Sequence, residues 1–458
     1  MLTFKEFILF LHIKFMFCLG TIFFYQYIIL DFPKKQSDKK RKAEDTWELA
    51  EQEGRKLNGM PRPSSFCKNE YDRDCIFNYH PNYVSNISID LYNPVFRKFK
   101  TKALEKLDFE PAHVKKVINL LLKMSEVYPY EDKRKVLFRD LMKDILGYPI
   151  KEYKINAFEA DAALTYNVES EQFTLLMVEV KNDLGVSGDA YKQVCCYFGK
   201  QIYTIKEYQL FRHPCFLLHL CGPWLGISGG VFGKKTIVEP LTSMIPLLPM
   251  LQHPEHLLTV LATLKALKDG LKELEDYYKS VKPDNPNIPR QSFYPYPNSF
   301  RNQNNKQIQF IYLKELDENK SLFLIKEQNF QNNETANQWI IKFVPGGYGY
   351  DVHHYCQDKN IAPKIIAFET LEGDWKMIIM EYLAPDSFEN LYTYLQIHKL
   401  NNTDKQLLKG KAMDIVKLLH DVGFVHGDLR PSNFMISLKD RSLKLIDYDW
   451  AGKDSVAK

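Results

Sequence analysis

The apolar positions of this chain change their period several times, and each change marks a different kind of element. Over Glu131–Leu146, in EDKRKVLFRDLMKDIL, apolar side chains recur every three to four residues, the spacing that gathers them on one face of a helix. TLLMVEVKN (Thr174–Asn182) instead runs apolar almost without a break and reads as a buried strand. CFLLHLCGPWLGISGGVFGKKTIVEPL (Cys215–Leu241) adds two or three strands broken by glycines. From about Glu110 to Met250 the order helix, strands, helix predicts an α/β domain. Further on, Leu257, Val260, Leu264, Leu267, Leu271, Leu274 and Tyr278 follow one another at alternating steps of three and four. That spacing suits a coiled-coil seam, but a stripe of only three heptads is expected to pack on its own domain.

The flanks read differently. Residues 46–109 are polar, loop-rich and punctuated by aromatics, with no clear period. Lys282–Lys306 carries five prolines, which break helix and strand alike, and reads as an interdomain linker. After it come three strand-like runs, QIQFIYLKEL, SLFLIKEQ and QWIIKFV. The expected division is an apolar N-terminal segment and basic run (1–45), the loop-rich region (46–109), an α/β domain with a C-terminal helix (110–280), a linker (281–306) and a second domain (307–458). Phe7–Leu30 matches the roughly 20 apolar residues that a membrane span takes, although His12, Lys14 and Gln26 interrupt it. The basic run Lys34–Lys42 behind it suits the cytoplasmic flank of an anchor, a nuclear-import patch or a solvated linker. Membrane and nucleus are therefore both expected locations.

Composition narrows the field. With 45% hydrophobic and 26% charged residues in 458, the chain is globular rather than disordered. A net charge of +4 over that length neither demands nor excludes a nucleic-acid partner. Eight cysteines without CxxC spacing fit a reduced interior better than a zinc site or a disulfide scaffold.

Phosphoryl transfer from ATP needs a carboxylate to take the acceptor's proton and oxygen ligands to hold magnesium on the phosphates. HGDLRPSN offers Asp428 as the base, Arg430 as a cation facing the phosphate and Asn433 as a metal ligand. Thirteen hairpin-like residues later, LKLIDYDW sets Asp447 at the end of an apolar strand. Upstream, Lys342 lies among the apolar residues of QWIIKFV, where an unpaired ammonium is costly. In order, IIKF, EYL (Glu381–Leu383), HGDLRPSN and DYD resemble the protein kinase superfamily. The resemblance implies ATP and magnesium as cofactors, Lys342, Glu381 and Leu383 around the nucleotide, Asn433 and Asp447 on the metal, and a protein Ser/Thr acceptor. Asp351 is the expected partner of Lys342. Three features depart from the family pattern: no GxGxxG precedes Lys342, Gly427 stands where regulated kinases carry an arginine, and only eleven residues follow Asp447. Hence a partial α+β kinase-like domain is expected, either degenerate or a piece of a longer one, with slow or absent transfer.

The front domain carries a second pattern. A metal-dependent nuclease needs carboxylates converging on magnesium and a lysine near the attacking water. Asp161 opens one strand, and Glu179 and Lys181 alternate onto one face of the next. This resembles the PD-(D/E)xK nuclease superfamily, whose fold is restriction-endonuclease-like. That likeness implies metal binding by Asp161 and Glu179, catalysis with Lys181, and contributions from Glu131 and Gln193 on flanking helices. The combination resembles the C-terminal region of Crinkler-type effectors, which implies DNA and protein as partners, action in the nucleus and secretion. Two alternatives stand beside it. One is a small-molecule kinase of aminoglycoside-phosphotransferase type. The other is a scaffold in which both sites are dead.

Overall fold

A computed structural model describes the backbone of residues 76–77 and residues 87–453, except 156–157, 185–187, 203, 206–210, 234, 251, 283–292, 303, 318–319 and 329–335. Phe7–Leu30, the basic run Lys34–Lys42 and most of the expected linker lie outside the described residues. Among the described residues no helix is long and apolar enough to cross a membrane. Those up to Pro297 form one compact unit and those from Asn298 another.

The front unit contains, in chain order, β1 (Ile76–Phe77), α1 (Val95–Lys102), α2 (Pro111–Met124), α3 (Glu131–Leu146), β2 (Lys151–Ile155), β3 (Phe158–Val168), β4 (Glu171–Lys181), α4 (Ala190–Ile202), β5 (Cys215–Cys221), β6 (Trp224–Phe232), β7 (Thr236–Pro240), β8 (Ile245–Pro246) and α5 (Pro254–Lys279). Its mixed sheet runs β1-β7-β6-β5-β4-β3-β2, with β8 on β6. The central strand β4 lies antiparallel to β3 and parallel to β5, and buries every residue from Phe173 to Lys181. Burial on both faces explains why this strand reads as a continuous apolar run. Met177 and Leu217 face α4, where they pack on Val194, Cys195 and Phe198. Phe216, one residue out of step, meets Phe96 and Phe99 of α1 at 5.5 and 5.4 Å.

Helix α5 buries Val260, Leu264, Leu267, Leu271, Leu274 and Tyr278 within its own unit, so the heptad-like stripe is core. The region expected to be loop-rich differs from that reading, because α1 lies within it and buries Val95, Phe96 and Phe99 against the domain. Its aromatics are packing residues. Four lysines and arginines among eight positions had hidden the period.

The second unit contains β9 (Ser299–Arg301), β10 (Gln307–Asp317), β11 (Leu322–Glu327), β12 (Gln338–Pro345), α6 (Tyr350–Asp358), β13 (Ile365–Thr370), β14 (Trp375–Glu381), β15 (Phe388–Asn390), α7 (Leu391–Ile397), α8 (Asn402–His420), β16 (Phe424–Val425), β17 (Phe434–Ser437), β18 (Leu443–Leu445) and β19 (Gly452–Lys453). Six strands in the order β13-β14-β12-β11-β10-β9 form its main sheet, and two small sheets, β15-β17-β18 and β16-β19, frame the following loops. β9 lies inside the stretch expected as linker. No proline falls between Asn298 and Lys306, and Phe300 is free to bury itself between Phe310 and Trp339. A second core joins α6, α7 and α8 to the β17–β18 hairpin through Cys356, Leu391, Leu408, Leu419, Ile436 and Leu445.

Candidate active sites

In the second unit the hairpin β17–β18 carries two of the singled-out residues at its ends. Asn433 immediately precedes β17 and Asp447 follows β18, and the Ile446 N–H donates to the Asn433 carbonyl at 2.9 Å. The Asn433 amide donates to Asp428 Oδ2 at 2.8 Å and to the Asp428 carbonyl at 2.9 Å. Arg430 pairs with the same Oδ2 at 2.9 Å. Among the described residues these bonds leave Oδ1 of Asp428 as its open oxygen, and leave Asn433 only its amide oxygen to offer a ligand. Lys342, 4% exposed on β12, donates to Asp447 Oδ1 and to Asp449 Oδ1, each at 2.5 Å. Lys320, in the turn between β10 and β11, reaches Asp447 Oδ2 at 2.5 Å. Burial raises the Asp447 carboxyl, but Lys342 and Lys320 outweigh it and hold the group at about 2. Asp449 goes the other way, since burial dominates there.

Asp351 is not the partner of Lys342. It lies on the exposed side of α6, and Asp447 and Asp449 take the ammonium instead. Glu381 ends β14 with its N–H given to the Lys364 carbonyl and its carboxylate paired with Lys444 at 3.0 Å; Leu383 lies half-buried two residues on.

Two histidines brace this loop. The Pro363 carbonyl can only accept, so His353 Nε2 carries the proton of their 2.8 Å bond, and Nδ1 accepts from the Tyr348 hydroxyl at 2.7 Å. Burial lowers His353 to about 4 and keeps it neutral. Its ring stacks on Tyr448 at 4.3 Å, and His426 meets the same tyrosine at 5.1 Å, so Tyr448 ties α6 to the segment that carries His426 and Asp428. Gly427 has a backbone reason to be glycine. Its φ is +82°, and a Cβ there would stand 2.5 Å from the Trp450 carbonyl.

The front unit gathers its charges where β3, β4 and the start of α3 meet. Lys181 Nζ lies 3.0 Å from Glu179 Oε1 and 3.1 Å from Glu131 Oε1. Lys135 bridges Glu131 at 2.8 Å and Asp161 at 2.9 Å, and the Val180 N–H donates to Asp161 Oδ2 at 2.7 Å. Gln193 comes close as well: a Cβ on Gly188 would stand 2.6 Å from its Nε2 and 4.0 Å from Lys181 Cε. All five residues singled out in this region therefore sit together. They do not form a ready cation cage, since among the described residues no three His, Cys, Asp or Glu side chains converge as a metal-binding group. Lysines stand between the carboxylates. Burial, then the Asp161 charge, pushes Glu179 up to about 8, and burial also raises Asp161. At Glu131 burial raises the carboxyl, but Lys135 and Lys181 together outweigh it. Glu179 Oε2 is buried and has no hydrogen-bond partner among the described residues.

Behind this network Arg134, buried to 4% exposure, donates to the carbonyls of Met124, Glu126 and Gly222 and to the Asn182 side chain at 2.9–3.0 Å. Sequence reading missed Lys135, Arg134, Asp449 and Lys320. Lys135 was within reach, four residues after Glu131 on a predicted helix, and so was Asp449, two after Asp447. Nothing in the sequence singles out Lys320.

Comparison with known proteins bears on the second unit. A family model of the protein kinase domain matches residues 304–456. Among solved structures, the Cydia pomonella granulovirus kinase PK-1 is similar at 21% identity over 31% of this chain and 52% of that one, with a TM-score of 0.27. The chain thus spans about half the length of that kinase. The C-terminal region is a kinase-like domain, and a separate α/β region precedes it.

Proposed function

We propose that the C-terminal domain binds ATP with magnesium and transfers its terminal phosphoryl group to a protein serine or threonine. The observation that carries this reading is the junction of Asp428, Asn433 and Asp447, joined through one hairpin and facing Lys342. The donor set is one of hard oxygens, the Asp447 carboxylate and the Asn433 amide oxygen, and it suits magnesium, which when bound neutralises charge on the phosphates. Asp428 Oδ1 accepts the hydroxyl proton, while Asn433 and Arg430 fix the carboxylate through its other oxygen. Lys342 holds the nucleotide phosphates, and Asp449 orients Lys342. ATP and magnesium together should raise the melting temperature of the full chain, and Asp447→Asn should remove that rise. A folded chain that ATP and magnesium leave unmoved overturns the proposal.

A second reading applies to the front unit, on the strength of Glu179 Oε2. Three carboxyl groups share two lysines, so one of them keeps a proton unless another cation takes its place, and Glu179 Oε2, buried with no partner among the described residues, is the open position. We infer that a divalent cation completes the cluster and that the unit cleaves nucleic acid, in keeping with the PD-(D/E)xK resemblance. Asp161→Ala should abolish magnesium-dependent DNA cleavage without unfolding the chain. Cleavage that survives this change removes the reading.

A further inference from the structure

The segment between β10 and β11, the two strands that precede the Lys342 strand, stands in the chain where a protein kinase-like domain would carry a glycine-rich phosphate loop. Such loops offer backbone N–H groups to the anion. This turn has no glycine, and among residues 317–322 (DENKSL) Lys320 is the sole cation. Ser321, next to it, is held at φ +43°, a conformation that side chains other than glycine adopt at a cost, and its carbonyl accepts the Phe343 N–H at 3.1 Å. Leu322 is the register partner of Lys342. Ser321 and Leu322 are therefore fixed against β12, and Lys320, just before them, shares one carboxylate with Lys342, each ammonium taking a different oxygen of Asp447.

We propose that Lys320 is a second phosphate-binding lysine, which supplies with one mobile side-chain charge what the missing glycine loop supplies with backbone amides. This rests on the nucleotide-binding reading above. Asp447 gives one oxygen to each ammonium, so a metal ion on this carboxylate competes with both lysines when the nucleotide is seated. Lys342 is buried and has Asp449 to retain it. Lys320, with its side chain 35% exposed, keeps room to swing, and its next anionic neighbour is the phosphate chain that Asp447 helps to hold. The opposite role, a lock that keeps Asp447 occupied and nucleotide out, predicts the reverse effect of removing the charge.

The test is equilibrium binding of ATP, ADP and adenosine to the full-length chain with magnesium, for wild type, Lys320→Ala and Lys320→Arg. Lys320→Ala should weaken ATP by about tenfold or more, the weight of one charge-assisted hydrogen bond, and leave adenosine unchanged. Lys320→Arg should keep most of the ATP affinity. Melting curves without nucleotide separate this from a folding defect: Lys320→Ala, which loses one of the two ammonium partners of Asp447, should melt somewhat lower but in a single cooperative transition. ATP affinity that is unchanged or tighter in Lys320→Ala overturns the assignment while nucleotide binding stands. A wild-type chain that binds neither ATP nor adenosine overturns both.

Discussion

The two units each place a lysine on a buried strand beside carboxylates, yet one acid paired with each lysine is driven in the opposite direction from the other, Glu179 up and Asp447 down. In the front unit three carboxylates (Glu131, Asp161, Glu179) share two ammonium groups (Lys135, Lys181), and Glu179 is pushed up to about 8. In the second, two carboxylates (Asp447, Asp449) share two ammonium groups (Lys320, Lys342), and Asp447 is pulled down to about 2. Burial raises both carboxyls, Glu179 being the more completely covered (side chains 3% and 12% exposed), and the charges around each acid then decide whether it holds its own proton or gives it up. Covalent layout differs as well. Glu179 and Lys181 are two residues apart on one strand, whereas Lys342 meets Asp447 across 105 positions of sequence.

The largest test of this contrast removes an acid that belongs to neither cluster. Asp428→Asn should lower the rate of phosphoryl transfer by about 10²–10⁴-fold, the usual weight of a general base, and leave ATP affinity almost unchanged. Equal losses in rate and affinity would show that Asp428 belongs with the nucleotide ligands after all. Next, Lys342→Met makes the balanced cluster acid-rich like the other. ATP affinity should fall by about tenfold or more, read by titration calorimetry. A depressed carboxylate stabilises above its ordinary value and loses that contribution as pH falls through the depressed one, so the stability gap between wild type and Lys342→Met should close between about pH 4 and pH 2.

The smallest effect concerns Glu179. Its folded value is raised, so its contribution is fully present below the ordinary carboxylate range and is lost as pH rises to about 8. Denaturant unfolding of the full chain from pH 5 to 9 should therefore show wild type losing stability relative to Glu179→Gln as pH rises. Glu239, raised to about 7 by burial, adds its own slope to both proteins and cancels in the difference. Added magnesium should narrow that difference at pH 8 if a cation joins the front cluster. Parallel pH curves would sink the view that Glu179 holds a proton.

Much of this could be read in the sequence wherever chemistry and local pattern coincide. β10, β11 and β12 each follow an apolar run, and alternation alone sets Glu179 and Lys181 on one face. Asn433 and Asp447 were readable as a pair because the hairpin between them is short. The Lys342 partnership was not readable, because Asp351 sits at a familiar distance in sequence while Asp449 reaches the site only through the turn after β18. Lys320 was hidden for a similar reason: its role depends on the fixed register between β11 and β12, which no single stretch displays. The fold of residues 87–102 escaped because charged side chains masked the apolar face of α1.

Arg134 bears on how freely the front site could change. It lies on the same helix as Glu131 and Lys135, and its guanidinium is fastened to carbonyls at the end of α2 and at the β5–β6 turn, and to Asn182, the residue after Lys181. Helix and strand thus share a common bolt that carries none of the proposed chemistry. Sliding either by one residue breaks several bonds to one buried cation at once, whereas exchanging Glu131, Lys135 or Glu179 leaves every one of them intact. The scaffold can accordingly outlive its activity: descendants of this domain could lose or remodel the charge cluster one residue at a time while the frame that aims it stays in register.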